Sequence, residues 1–145
     1  MTLHASYDPD NIFAKMLRGD IPCVKVYEDD VVLSFMDIFP QSRGHTLVIP
    51  KNVEARNLLE LPSEKIGDYM HRVQRIARGV EKALSPDGLI VTQFNGAPAG
   101  QTVFHLHMHL IPVFEDQPRA HGHGTGQQAD MDELAKIAEA ISAAV

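Results

Sequence analysis

The stretch His105-Leu106-His107-Met108-His109-Leu110-Ile111 carries a histidine at every second position. Side chains of a strand alternate between its two faces, so this spacing sets three imidazoles along one face and sends Leu106, Met108 and Leu110 to the other, toward a core. The pattern predicts a strand, with bounds at Val103 and Pro112. Imidazoles titrate near neutral pH and serve as nucleophile, base or cation. Burying such a row inside a core is expected to be costly, which favours a wall facing a site.

Three readings compete for the row. It can be the solvent face of an amphipathic strand. It can be a metal site: alternate strand residues lie about 6.8 Å apart, so the backbones of His105 and His109 are roughly 13 Å apart. With metal–nitrogen distances of about 2.0–2.1 Å, two neighbouring imidazoles converge on one zinc more easily than three. Or it can face a phosphate, the middle imidazole attacking while its neighbours supply protons and positive charge.

Outward from the row, the sequence divides into short strands and grouped helices. Asp10 is read as the N-cap of a short helix through about Leu17, ended by Gly19-Asp20-Ile21-Pro22. Strands are expected at Val24 to Glu28, Val31 to Met36, His45 to Ile49 and Leu89 to Phe94, with a loop at Phe39 to Gly44 and a turn at Ser85 to Gly88. A helix from about Ser63 to Leu84 presents Ile66, Tyr69, Met70, Val73, Ile76, Ala77, Val80 and Leu84 as an apolar stripe. Asp130-Met131-Asp132-Glu133 opens a last amphipathic helix. Helices grouped rather than alternating with the strands indicate an α+β fold with an antiparallel sheet.

One domain is the expectation for 145 residues with 44% apolar content. A formal net charge of −6 argues against a general nucleic-acid binder, which would present a basic face. The single Cys23 has no partner for an internal disulfide, which fits a reducing cytoplasm. The N-terminal stretch lacks a basic-then-apolar leader pattern, and no apolar run approaches a membrane span, so a soluble, unprocessed cytoplasmic chain is expected.

The row, with Gly100-Gln101-Thr102-Val103 before it and Arg43-Gly44-His45-Thr46-Leu47-Val48-Ile49-Pro50-Lys51 upstream, resembles the histidine triad (HIT) family, in particular its bacterial histidine triad nucleotide-binding (Hint-like) branch. The likeness spans roughly Asn11 to Pro112 and includes Ile12-Phe13, Gly19-Asp20-Ile21-Pro22, Tyr27-Glu28-Asp29 and Phe35-Met36-Asp37-Ile38 in order. It implies a five-stranded antiparallel sheet with a long helix, paired into a ten-stranded sheet in a homodimer. The whole chain, 1–145, then reads as one HIT domain, with a core at about 11–113 and a C-terminal helix at about 130–144.

The resemblance also implies an activity. The middle histidine, His107, would attack the α-phosphorus of a purine nucleotide and form a covalent nucleotidyl-histidine, which water hydrolyses to a nucleoside monophosphate such as AMP. His105 would orient and polarise its neighbour, His109 would hydrogen-bond the α-phosphate, and His45 would complete the wall. Asn95, Gly100, Gln101 and Thr102 would form the phosphate cradle, with Thr102 near the leaving group. Asp37 would accept from the ribose hydroxyls, and Phe13, Phe35, Ile38 and Leu47 would line a slot for the base. Without the resemblance, each of those four reads as an ordinary core residue.

The leading reading is hydrolysis of purine nucleoside phosphoramidates or adenylates. Gln101-Thr102 suits a dinucleoside polyphosphate hydrolase equally, and a nucleotide-binding regulatory protein with incidental activity is the non-enzymatic alternative. Two departures bear on this. Many bacterial members carry a Cys-x-x-Cys pair where Asn11 and Ala14 stand, used with histidines for a structural zinc, so no such zinc and no cofactor is expected. The transferase branch replaces the last histidine of the row with Gln, whereas His109 is intact, which favours hydrolysis. His121-Gly122-His123-Gly124 is expected to be a solvated loop rather than a metal site.

Overall fold

Polar side chains at the element ends set most boundaries in the computed structural model, which describes residues 3–118 and 127–145; His121-Gly122-His123-Gly124 lies outside them. The first helix, α1 (Ile12–Arg18), is capped by Asn11 rather than Asp10: Asn11 Oδ1 accepts the Ala14 N–H at 2.9 Å. Asp10 instead sits in the preceding turn, where its N–H donates to the Asp8 carboxylate. The remaining elements are β1 (Lys25–Glu28), β2 (Val32–Met36), β3 (Thr46–Pro50), α2 (Ser63–Leu84), β4 (Gly88–Thr92), β5 (Met108–Val113) and α3 (Met131–Ala144). Asp130 caps α3 by accepting from the Asp132 and Glu133 N–H groups. The strands form one sheet in the order β1-β2-β3-β5-β4, every neighbouring pair antiparallel.

Strand alternation gives this sheet two different faces. Val32, Met36, Val48, Met108 and Leu110 face one way and pack with Tyr69, Val73, Ile76 and Val80 of α2 and with Leu134, Ile137 and Ile141 of α3. Burying each such side chain contributes about 1.5–3 kcal/mol, so this layer supplies most of the stability. The α2 stripe is narrower than expected: Ile66 and Met70 remain 38% and 37% exposed, whereas Tyr69 between them is buried and donates its hydroxyl to Val48 O of β3. The other face carries Leu33, Phe35, Leu47 and Ile49, covered in part by Phe13 of α1. His109, between Met108 and Leu110, belongs to this second face.

The expected strand over Val103 to Pro112 is shorter, beginning at Met108, so His105 and His107 lie in an irregular segment and His109 alone is in the ladder. Pairing stops before the earlier residues: β4 ends at Thr92↔His109, and β3, although it runs on to Pro50, pairs with β5 no further than Val48↔Met108. The Leu106 N–H instead donates to Ala55 O, in the loop after β3. The core placement of Leu106, Met108 and Leu110 is as expected.

His45 is positioned by the tight approach of Gly44 to the end of α2. Gly44 has φ +92, and a Cβ there would collide with the Leu84 side chain and press on Pro112. Both the left-handed backbone and the missing space require glycine. Gly44→Ala is expected to lower the unfolding free energy by about 1–3 kcal/mol, read as a lower urea midpoint with an unchanged slope.

Candidate active site

The four histidines come together from three segments, and all are buried: His45 and His105 are 0% exposed, His109 1% and His107 4%. Burial of the row, expected to be costly, is therefore what the fold adopts, and the histidines form an internal cluster rather than an open wall. Burial is tolerated because ring nitrogens have polar partners. His105 Nε2 lies 3.1 Å from Pro50 O and Nδ1 lies 2.6 Å from the Tyr7 hydroxyl. His107 Nδ1 lies 2.7 Å from the main-chain carbonyl of His105. A carbonyl only accepts, so the hydrogen-bond partners assign a proton to His107 Nδ1 and leave the lone pair on Nε2.

A second relay sets His109. His45 Nδ1 accepts the Gln41 N–H at 3.0 Å, which assigns the His45 proton to Nε2, 3.0 Å from His109 Nδ1. His109 Nδ1 is thereby an acceptor, and its proton sits on Nε2. The Asp37 carboxylate stands 3.6 Å from His45 Nε2, the nitrogen that carries the proton. The imidazoles of His107 and His109 lie 4.9 Å apart, flanked by Phe13 at 4.9 Å from His107 and Phe94 at 5.3 Å from His109.

Beside this cluster opens an apolar cleft of about 460 Å³, lined among others by Phe13, Phe35, Asp37, Ile38 and Leu47. All five residues assigned to ribose and base thus share one cavity. Ile21, Pro22 and Cys23, which the sequence presents as a turn and a small buried residue, line it too, with Met131 from the start of α3. No local pattern marks those residues, since the cleft arises only where the turn after α1 folds over the sheet.

Known proteins are similar to this chain in sequence and fold. The family model of the HIT domain matches residues 18–116. The chain belongs to the HIT family. Among relatives, the Bacillus subtilis protein hit is 50% identical over 103 residues, covering 71% of this chain and 70% of that one. The adenosine 5'-monophosphoramidase hnt1 of Schizosaccharomyces pombe is 38% identical over 137 residues, covering 92% and 97%. The crystal structure of a HIT-like protein from Bartonella henselae, described as involved in cell-cycle regulation, superposes with a TM-score of 0.89 at 46% identity, covering 97% of this chain and all of that one.

The loop before the row differs in part from the cradle that the HIT resemblance implies. Gln101 is buried and its amide is spent on the loop itself: Oε1 accepts from Gly96 N, and Nε2 donates to Arg56 O at 2.6 Å and Val103 O at 3.0 Å. Asn95 Oδ1 accepts from Leu58 N and Gln93 Nε2. These two side chains brace the loop, whereas Gly100, at φ +111, and Thr102 are exposed on it. For metal, Asp37, His45 and His109 each offer a ligand atom within 4.8 Å of the others. Two of those atoms are already joined in the His45–His109 hydrogen bond. At the positions of the family's cysteine pair, Asn11 caps α1 and Ala14 has no donor, so the thiolate set does not fit here.

Burial lowers the pKa of His105 to about 4, offset in part by the Pro50 carbonyl, so this ring stays neutral in the folded protein. Unfolded, a histidine titrates near 6.5. Between these values the unfolded chain takes up a proton that the native state refuses, so stability falls as pH drops from about 6.5 to about 4, by on the order of 3 kcal/mol. Unfolding free energies from urea titrations between pH 4.5 and 7.5, with the ¹⁵N signals of His105 showing an unprotonated ring at pH 5, check this.

Proposed function

We propose that this HIT protein hydrolyses purine nucleoside phosphoramidates or adenylates through a nucleotidyl-histidine on His107. The observation that carries the reading is the His107 Nδ1 bond to the His105 carbonyl, which assigns the ring proton to Nδ1 and the basic lone pair to Nε2, on a ring in edge contact with Phe13 of the cleft wall. In this reading the base occupies the cleft between Phe13, Phe35, Ile38 and Leu47, and Asp37 accepts from the ribose hydroxyls. The purine is gripped by apolar contact, which suits adenine and guanine alike. His107 Nε2 attacks the α-phosphorus and the bond to the leaving amine or acyl oxygen breaks, the amine departing protonated. Water then cleaves the phosphorus–nitrogen bond to His107 and releases the nucleoside monophosphate. His109 Nε2–H, set by the His45 relay, stabilises the negative charge of both transition states. The name of the fission-yeast relative, an adenosine 5'-monophosphoramidase, supports this substrate class.

A panel of adenosine phosphoramidates, aminoacyl-adenylate mimics and diadenosine polyphosphates ranked by kcat/KM tests the reading, since that ratio reports transition-state binding. His107→Ala is expected to lose about 10³-fold or more in turnover while still binding AMP. His109→Ala is expected to lose about 10²–10³ in kcat while a nucleotide adduct still forms on His107, detectable by mass spectrometry of the quenched protein. Binding of AMP by the wild-type chain with no turnover of any substrate would establish a binding protein instead.

The homodimer belongs to the same proposal. β4 ends the sheet with Val91 45% exposed, and α2 leaves Ile66 and Met70 exposed. An open strand edge with apolar neighbours is a liability that pairing two copies removes. Light scattering at micromolar concentration is expected to give twice the chain mass, and a monomer mass would refute the pairing. A cytoplasmic setting accords with the single thiol of Cys23. Among the described residues, no helix is long and apolar enough to cross a membrane.

A further inference from the structure

Tyr7, in the segment before α1, touches the back of the catalytic row. Its hydroxyl lies 2.6 Å from His105 Nδ1, and the two rings meet edge-on with centroids 5.7 Å apart. Because Pro50 O accepts from His105 Nε2, the ring proton is on Nε2, Nδ1 is an acceptor and the tyrosine hydroxyl donates. Burial raises the Tyr7 pKa, which keeps that hydroxyl protonated. The segment is tied down by two buried residues after β3: Arg56 Nη1 donates to Ser6 O at 3.0 Å and Asn57 Nδ2 to Leu3 O at 3.2 Å. Arg56 O in turn accepts from Gln101, so one anchor serves both this segment and the loop before the row.

We propose that Tyr7 is a positioning residue of the active site: by donating to His105 Nδ1 it holds in place the ring that Pro50 O sets as the Nε2–H tautomer, and with it the His105 carbonyl against His107 Nδ1. The ring of His105 is gripped at both nitrogens, and the next residue is fixed by the Leu106 N–H bond to Ala55 O, so the carbonyl between them has little freedom. That carbonyl is what sets the His107 tautomer. Tyr7 and His105 also line an open cleft of about 460 Å³ on the side of α1 that carries Ala14 and Leu17, so loss of the hydroxyl hands Nδ1 to water. A water exchanges and is not tethered to the chain, so the ring is then held at Nε2 alone. The inference rests on His107 acting as the nucleophile.

Tyr7→Phe keeps the ring contact and deletes the one hydroxyl. Its kcat on adenosine 5'-phosphoramidate is expected to fall about three- to tenfold, the worth of one net hydrogen bond, with KM and AMP affinity unchanged. In ¹⁵N-histidine-labelled protein at pH 7, the wild type is expected to show His105 as Nε2–H and His107 as Nδ1–H, and the variant a mixture of tautomers at His107. A variant with a lower melting temperature but wild-type kcat and unchanged ring spectra would reduce Tyr7 to packing and overturn the proposal. Should the variant not fold, the wild-type spectrum decides: a proton on His105 Nδ1 overturns it and one on Nε2 supports it. Absence of turnover in the wild type would refute the proposed reaction, while the ring spectra would still decide the role of Tyr7.

Discussion

Four imidazoles are buried within one small volume, and an imidazole removed from water must find hydrogen-bond partners at its nitrogens or lose stability. Main-chain groups meet much of that demand here: Pro50 O for His105, His105 O for His107 and Gln41 N for His45. Each backbone partner is either a pure donor or a pure acceptor, so it also decides which nitrogen carries the proton. The requirement that makes burial tolerable is therefore the one that gives each ring a defined chemical role. A solvent-exposed row of the same composition would leave its tautomers to water.

The sheet makes this arrangement affordable by dividing its labour. One face carries the large core against α2 and α3, with Tyr69, Val73 and Ile76 buried against Val48 and Leu110. The other face is covered only in part, by α1, and leaves an apolar cleft beside the histidines. A half-covered face is where a ligand can reach buried groups without the core opening. Rigid strands hold His109, and the segments beside them bring His45 and Phe94 to it.

Charged side chains hold the corner of the fold opposite the site. Asp29 accepts from the N–H groups of Val31 and Val32, from the Tyr27 hydroxyl and from Arg72 of α2. Partial burial would raise its pKa, but these four donors outweigh it and hold the carboxyl well below the usual carboxylate range. The β1–β2 turn is thus fastened to the long helix by one carboxylate, independently of the apolar layer.

Local signals were sufficient for much of this molecule. The 3.6-residue period of Ser63 to Leu84 and the Asp130 cap mark α2 and α3 within a residue, because helix periodicity and capping act over a few neighbours. Alternation identified which side of the histidine row faces the core, and the ordered blocks of the HIT resemblance pointed to the histidines and to the residues around the cleft. What the sequence did not contain was the late start of β5, the choice of Asn11 over Asp10 as cap, and the burial of the row. Strand length depends on how far the pairing with β3 and β4 runs beside it, which is a property of partners more than 10 residues away rather than of Val103 to His107. The bracing role of Gln101, the cleft wall at Ile21 to Cys23 and the contact of Tyr7 with His105 were likewise decided by tertiary structure. Each is a single contact between distant segments, and the periodicity of either segment alone carries no record of where the other is laid.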